Sequence, residues 1–182
     1  MCIECLQRGL TLIEPIVFIL IVGVALAGIL AVMDVTVKSS ADPLVRKQML
    51  AIAESLMTEV QLQAFTWCDP DDPAAPTATA AADCATAETS GPETMAGVTE
   101  SRGSPTAPFD NVNDYHGAAI SSDIVGTSFP SGYTASISVA QAALGDLVAS
   151  DATLLIAVTV THGSESLTLH GYRARYAPNS TP

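Results

Sequence analysis

The chain has 182 residues, enough for one modest domain with a short appendage but not for two large domains. It contains 7 Lys and Arg residues and 19 Asp and Glu residues, so its formal net charge is -12, which argues against a basic surface for binding nucleic acid. Only 14% of the residues are charged and 48% are hydrophobic, so we expect the apolar residues to be concentrated in part of the chain.

The apolar residues are concentrated near the N-terminus. No charged residue occurs from Pro15 to Met33, and residues 16–33 are nearly all aliphatic. As a helix this run would extend roughly 27 Å, close to the ~30 Å hydrocarbon core of a bilayer. Because Arg8 precedes the run and Asp34 follows it, we expect a single span whose N-terminus is cytoplasmic.

Two simpler interpretations of this run leave residues unexplained. A secretory signal peptide could be cut after Ala25-Leu26-Ala27, but Glu14 and Pro15 would then interrupt its apolar core, and the run continues to Met33. An ordinary membrane anchor does not need Glu14, since a charged side chain near the centre of a span costs on the order of 2.5–3.5 kcal/mol and less near an end. The glutamate therefore indicates a function.

The residues around this glutamate form a motif. The segment 8–14, Arg-Gly-Leu-Thr-Leu-Ile-Glu, directly precedes the apolar run and resembles the processing site of type IV prepilins and of type II secretion pseudopilins. The resemblance implies that a prepilin peptidase cuts between Gly9 and Leu10 and methylates the Leu10 amine. It also implies that Glu14 forms the assembly salt bridge with the N-terminal amine of a neighbouring subunit. Leu10 as first mature residue and Pro15 after the glutamate depart from the usual pattern.

A second helical pattern follows the apolar run. Asp42 as N-cap and Pro43 as first helical residue predict a helix restart. Apolar residues then recur at three- and four-residue spacing as far as Phe65, which predicts an amphipathic helix with one face on a core. The residues of this apolar stripe are Val45, Met49, Ile52, Ala53, Leu56 and Val60.

The middle of the chain predicts a loop. Ala, Thr and Pro make up 23 of the 39 residues from 70 to 108, which favours little intrinsic order. Cys68 and Cys84 lie on the outward-facing side, where disulfides form, and we predict that they pair. Cys2 and Cys5 lie in the leader that the peptidase would discard.

The C-terminal third is β-like. Apolar and polar residues alternate in 133–140 and apolar residues recur at every second position in 154–161; after a turn at 162–165, a third strand is predicted from Ser166 to about Tyr176. An antiparallel sheet packed on the amphipathic helix would bury both apolar faces, which gives an α+β fold.

The sequence offers acidic groups but no catalytic constellation. Hard cations prefer clustered oxygens, but the spacing of these groups fits no EF-hand loop, and a solvated acidic loop with turn and capping roles is favoured, leaving calcium binding open. The three histidines have no metal-ligand neighbours, so we predict no enzyme, no cofactor and no metal ligand set. The acidic groups are Asp69, Asp71 and Asp72, and Asp110, Asn113 and Asp114.

Five further blocks resemble the MshD family, minor pilins of the mannose-sensitive haemagglutinin type pilus. They are residues 41–48, 51–54, 67–70, 109–117 and 171–178. The resemblance implies a pilin-like fold, insertion in the inner membrane with the C-terminal part periplasmic, and later exposure on the cell surface in the pilus. The implied partners are the prepilin peptidase, the major pilin, other minor pilins, the inner-membrane assembly platform, and membrane lipid before assembly.

These interpretations divide the chain into five parts. They are a leader (1–9), a transmembrane and assembly helix (10–34), an amphipathic half-helix (35–67), a disulfide loop (68–108) and the sheet part of the head (109–182). The expected function is that of a minor pilin. A type II secretion pseudopilin is one alternative, and a binding module whose loop forms an adhesive surface at the pilus tip is another.

Overall fold

A computed structural model describes residues 12–144 and 152–181, with the side chains of 35–42 left aside. Helix α1 is followed by a mainly irregular segment and an antiparallel sheet, so the chain has a mixed α+β fold. The elements are α1 (Ile13–Leu62), β1 (Thr94–Met95), β2 (Val98–Thr99), β3 (Ala119–Ile120), β4 (Tyr133–Gln141), β5 (Thr153–His162), β6 (Glu165–Ala174) and two 3-10 turns, Ala81–Asp83 and Val112–Tyr115. Two compact units meet in sequence between Leu44 and Val45.

The sheet of the second unit has four antiparallel strands in the order β3-β4-β5-β6. Buried and exposed residues alternate along β4, as the period-two pattern predicts for a strand with one covered face. The β5–β6 hairpin closes at the pair His162 and Glu165, and Gly163 adopts a φ of 59° in its tight turn. The three predicted strands are therefore confirmed.

The core of the second unit lies between the C-terminal part of α1 and this sheet. On the helix, the face that carries Met49, Leu56 and Val60 is fully or almost fully buried, as the apolar stripe predicts. β6 passes so close to the helix that a Cβ on Gly171 would lie 2.6 Å from the sulfur of Met57. The sheet contributes the buried residues Ile137, Val139, Ile156, Val158 and Val160.

The bounds of α1 differ from the predicted ones at two places. The helix has no restart at Pro43 and includes this proline in its interior, where the missing N–H removes one helical hydrogen bond. It also ends at Leu62 instead of continuing to Phe65. The cause is a tertiary contact, because the Ala64 N–H donates to the Asp110 carbonyl and the Ala64 carbonyl accepts from Val112 N–H. This pairing draws the chain out of the helix.

Candidate functional site

The predicted assembly residues lie at the start of α1 or before it. Gly9 and Leu10 lie outside the described residues. Glu14 lies in the first turn of the helix and is exposed, beside Pro15. A carboxylate in this turn is favoured by the free N–H groups of the helix start, and a proline costs little there because those N–H groups have no helical acceptor.

The segment Ile13–Asp34 of α1 is long and apolar enough to cross a membrane, judged by length and composition. None of its apolar side chains is covered within the described unit; Phe18 and Leu30 are both 66% exposed. A continuous apolar surface of this length is far larger than the isolated exposed side chains that soluble proteins tolerate. The segment therefore requires a covering beyond its own helix, such as lipid or another apolar surface.

The predicted Cys68–Cys84 disulfide is present. Its Cα atoms lie 5.3 Å apart, and it joins the region after α1 to the 3-10 turn Ala81–Asp83. Cys68 is fully buried in a small cluster with Ala75 and Ala78, against which Trp67 packs. This cluster has few apolar atoms, so the covalent link contributes much of what holds the loop.

Replacing both cysteines by alanine should lower the free energy of unfolding by ~3 kcal/mol, because the link restricts the unfolded chain over a loop of about this length. The measurement is denaturant unfolding of the full chain in detergent, with oxidised and reduced wild type alongside. Reductant should destabilise the wild type by a similar amount and leave the Cys68→Ala, Cys84→Ala variant unchanged. Free thiols at both positions of the oxidised wild type would contradict the pairing.

Six carboxylates between residues 69 and 114 lie together in two groups of three. In each group, one ligand atom from each side chain lies within 4.8 Å of the other two. The two groups are neighbours, since Glu88 of one is influenced by the charges of Asp69 and Glu100 in the other. We call these six residues the carboxylate cluster: Asp69, Glu100 and Asp110 form its first group, and Glu88, Glu93 and Asp114 its second.

Asp114 is held in the second group by the 3-10 turn Val112–Tyr115. Its Oδ2 accepts hydrogen bonds from the backbone N–H groups of Asp110, at 2.9 Å, and Asn111, at 2.7 Å. Asn111 is the N-cap of the turn and its side chain accepts from Asn113 N–H. The cap therefore fixes the Asp114 side chain while Oδ1 remains free of these bonds.

Asp69 and Glu93 are positioned in the same way. Asp69 Oδ1 accepts from the backbone N–H of Asp71 at 2.7 Å. Glu93 Oε1 accepts from both the N–H and the hydroxyl of Thr89, at 2.6 and 2.7 Å. Each side chain thus uses one carboxylate oxygen for positioning and leaves the other oxygen without a hydrogen bond.

In each of the six carboxylates, one oxygen is buried and has no hydrogen-bond partner among the described residues. These oxygens are Asp69 Oδ2, Glu88 Oε2, Glu93 Oε2, Glu100 Oε2, Asp110 Oδ1 and Asp114 Oδ1. Leaving a buried charged oxygen unpaired is costly, and six such oxygens side by side add mutual repulsion. The cluster is therefore a concentrated acceptor for positive charge.

The pKa values of the cluster reflect the same cost of burying charged carboxylates without partners. Burial, with the negative charge of Asp114 next in importance, raises the pKa of Glu88 to about 10. Burial also raises the pKa of Asp114 to about 8, and the pKa values of Glu100 and Asp110 to about 7, where the charge of Asp69 adds to it. These carboxylates resist being charged next to one another unless a cation or a proton neutralises them.

Asp72 shows what a purely structural carboxylate looks like in this loop. It is 3% exposed, and each of its oxygens accepts a backbone N–H: Oδ1 from Ala74 at 2.8 Å and Oδ2 from Thr86 at 2.6 Å. The hydrogen bond from Thr86 is the main reason that its pKa is lowered. Asp72 is thus fully satisfied by the chain, unlike the cluster residues.

The structure corrects the interpretation of the acidic groups as a solvated loop. Asp69 and Asp114 are 0% and 1% exposed. Among the neighbouring aspartates 69, 71 and 72, only Asp71 is exposed. Spacing analysis also missed Glu88, Glu93 and Glu100, which are widely separated in the sequence. One available signal was composition, since nine of the 19 acidic residues but only one basic residue, Arg102, lie between 69 and 114.

Two surface cavities lie next to the cluster. One, of about 390 Å³, is lined by Glu88 of the second group together with Thr89, Asn113 and Arg175. The other, of about 240 Å³, is lined by Glu100 of the first group, among other residues. Each group thus has one member that reaches solvent-accessible space.

No protein-family model, curated protein or solved structure matches this chain.

Proposed function

We propose that this chain is a minor pilin of a type IV pilus, of the mannose-sensitive haemagglutinin type, anchored in the inner membrane before assembly. The observation that carries the proposal is the segment Ile13–Asp34, an apolar helix without cover whose first turn contains a glutamate. Lipid would cover this segment in the monomer, and the helices of neighbouring subunits would cover it in the filament. One surface then serves both states.

Two further features support this function. In the second unit, α1 lies on an antiparallel sheet, the arrangement expected of a pilin head. At the other end of the helix, the residues before Glu14 resemble the prepilin processing motif, with Gly9 before the proposed scissile bond. The prepilin peptidase, the major pilin, other minor pilins and the assembly platform are the partners that follow from this proposal.

The proposed role of Glu14 rests on charge. In the membrane it lies near the interface, where water and the helix start stabilise a carboxylate. In the filament that water is gone, and the methylated Leu10 amine of a neighbouring subunit is a cation that needs an anionic partner. An unpaired buried charge costs several kcal/mol, so the salt bridge would align the incoming subunit.

Glu14→Ala should reduce the ratio of this subunit in sheared pili to that in the membrane fraction by at least about tenfold, the effect of ~1.4 kcal/mol. Intact mass should show that wild type and variant both begin at Leu10 and carry one added methyl group. Glu14→Gln should be intermediate because it keeps a hydrogen-bond acceptor without the charge. Glu165→Ala, at the exposed β5–β6 turn, is the control and should behave like wild type.

Two results would contradict the proposal. A mature chain that begins at Gly28 would show that signal peptidase cuts after Ala27. An unchanged ratio for Glu14→Ala would show that this carboxylate does not recruit the subunit into filaments.

A further inference from the structure

We propose that the carboxylate cluster binds two calcium ions, one in each group. The first ion would lie among Asp69, Glu100 and Asp110, and the second among Glu88, Glu93 and Asp114. This inference does not depend on the chain's being a pilin.

The spacing of the ligand atoms fits calcium. Calcium binds oxygens at about 2.3–2.6 Å, so two oxygens on one ion lie no more than about 5.2 Å apart. The ligand atoms of each group lie within 4.8 Å of one another, inside that limit. Magnesium binds at about 2.0–2.1 Å and allows only about 4.2 Å, so of these two ions calcium accepts any spacing up to 4.8 Å, whereas magnesium accepts only the shorter part of this range.

The unpartnered oxygens are an independent indication of a ligand. Asp69, Glu93 and Asp114 are each more than nine-tenths buried, and each has one oxygen held by a backbone N–H and one without a partner. In Asp72, in the same loop, both carboxylate oxygens accept hydrogen bonds from backbone N–H groups. A carboxylate with only a structural role would be expected to resemble Asp72. Carboxylates that lie together in groups of three, each with one buried oxygen free of hydrogen bonds, are instead suited to ligate an ion.

The donor set and the charge select the class of metal. Both groups offer carboxylate oxygens only, whereas zinc and the later transition metals prefer sites with imidazole or thiolate ligands. Six carboxylates carry a charge of -6, and two divalent ions reduce it to -2. Protonation is the competing way to neutralise the cluster. A cluster neutralised by protons would not bind calcium, and calcium would not change the Tm of the chain.

The ligands lie far apart in the sequence, so the ions would also hold the loop together. Asp69 lies within the disulfide loop, Glu93 and Glu100 flank the short hairpin β1–β2, and Asp114 belongs to the second 3-10 turn. Glu88 and Glu100 line the two surface cavities, so one ligand of each group lies next to solvent-accessible space. Calcium would thus crosslink segments that have little apolar core.

The test uses the full chain in detergent, stripped with a chelator and titrated with calcium in a calorimeter. We expect two calcium ions per chain and a rise in Tm of roughly 5–10 °C per site at a hundredfold excess over Kd. Magnesium at the same concentration should raise Tm much less. An equal response to magnesium would overturn the assignment to calcium, and no binding with an unchanged Tm would overturn the site itself.

Asp69→Asn and Glu93→Gln should each leave one calcium ion per chain, and the double variant none. Both substitutions keep an oxygen to accept the positioning N–H, and both remove a buried negative charge. Without calcium, the variants should therefore unfold at or above the Tm of the stripped wild type, although they lose the calcium-dependent rise. A metal ligand should show this combination of an unchanged or higher Tm without calcium and a smaller rise in Tm with calcium. Replacing a merely structural residue should instead lower Tm in both conditions.

The matched control is Glu165→Gln, which removes one charge at the exposed β5–β6 turn and should still bind two ions. Circular dichroism and the state of the Cys68–Cys84 disulfide report whether each variant is folded. Two ions bound by both single variants with wild-type affinity would overturn the assignment of ligands.

Discussion

Glu59→Ala should lower the free energy of unfolding by about 3–5 kcal/mol, measured by denaturant unfolding of the full chain in detergent. Glu59 lies on α1 and is the anionic partner of Arg102 in the irregular segment. The substitution removes the carboxylate and leaves the guanidinium enclosed by protein. An enclosed charge without its partner is among the costliest defects that a single substitution can create.

The geometry of this ion pair explains the size of the effect. Arg102 donates from Nε to Glu59 Oε1 and from an Nη to Oε2, both at 2.7 Å, and the two side chains are only 14% and 9% exposed. The Tyr115 hydroxyl also donates to Oε1, at 3.0 Å, and Arg102 donates to the Ser122 carbonyl. The hydrogen bonds to the Glu59 carboxylate raise the pKa of the guanidinium. Arginine is protonated at neutral pH even without a partner, so the positive charge remains when Glu59 is replaced.

Two variants serve as controls for this prediction. Glu54→Ala removes an exposed carboxylate from the same helix and should change the unfolding free energy by about 0.5 kcal/mol or less. Replacing both partners, as Glu59→Leu with Arg102→Met, should be far less damaging than Glu59→Ala, because no charge is then left buried. If the double variant were as unstable as the single one, the loss would come from packing and not from an unpaired charge.

Leu56→Ala should cost about 2–5 kcal/mol of unfolding free energy. Leu56 is 1% exposed and lies in the core between α1 and the sheet, so its removal leaves a cavity that the strands cannot close without moving. Thermal or denaturant unfolding of the full chain in detergent provides the measurement.

Leu50→Ala is the matched control for Leu56→Ala. The two leucines are six residues apart on the same helix, and Leu50 is 39% exposed. The chemical change and the helix propensity are identical, so the difference in unfolding free energy isolates burial. We expect Leu50→Ala to cost about 0.5 kcal/mol or less; comparable losses at both positions would show that the helix face is not packed as described.

The strands and the buried helix face were predictable because their patterns are local. Every second residue of 133–140 is apolar, and this period matches the backbone geometry of a strand whatever the rest of the chain does. The stripe through Met49 and Leu56 predicts the covered face of α1 for the same reason. The predicted end of the helix was wrong because the actual end depends on the pairing of Ala64 with residues far along the chain.

The carboxylate cluster could not be predicted from spacing. Its members come from separated turns, and the sequence between them has no period that specifies which residues meet. Acidic residues in a loop are usually solvated, which favoured the wrong interpretation of Asp69 and Asp114. Their burial follows from the disulfide, from the N-cap at Asn111 and from the backbone N–H groups that hold one oxygen of each side chain.

The bridge between Ala64 and Asn111 has a consequence for the order of folding. The sheet is built from hairpins and neighbouring strands, whose contacts are close in sequence and form early. The bridge requires the two ends of the segment 65–110, here called the excursion, to meet. Closing a loop of this length costs chain entropy, and this cost comes before the contacts between its ends can stabilise the fold. The excursion also separates helix α1 from the sheet, so docking of the helix on the sheet brings the ends of the excursion together. We therefore expect the hairpins of the sheet to form first, the helix to dock next and the rest of the excursion to order last, and we expect local opening of the native protein to begin in the excursion.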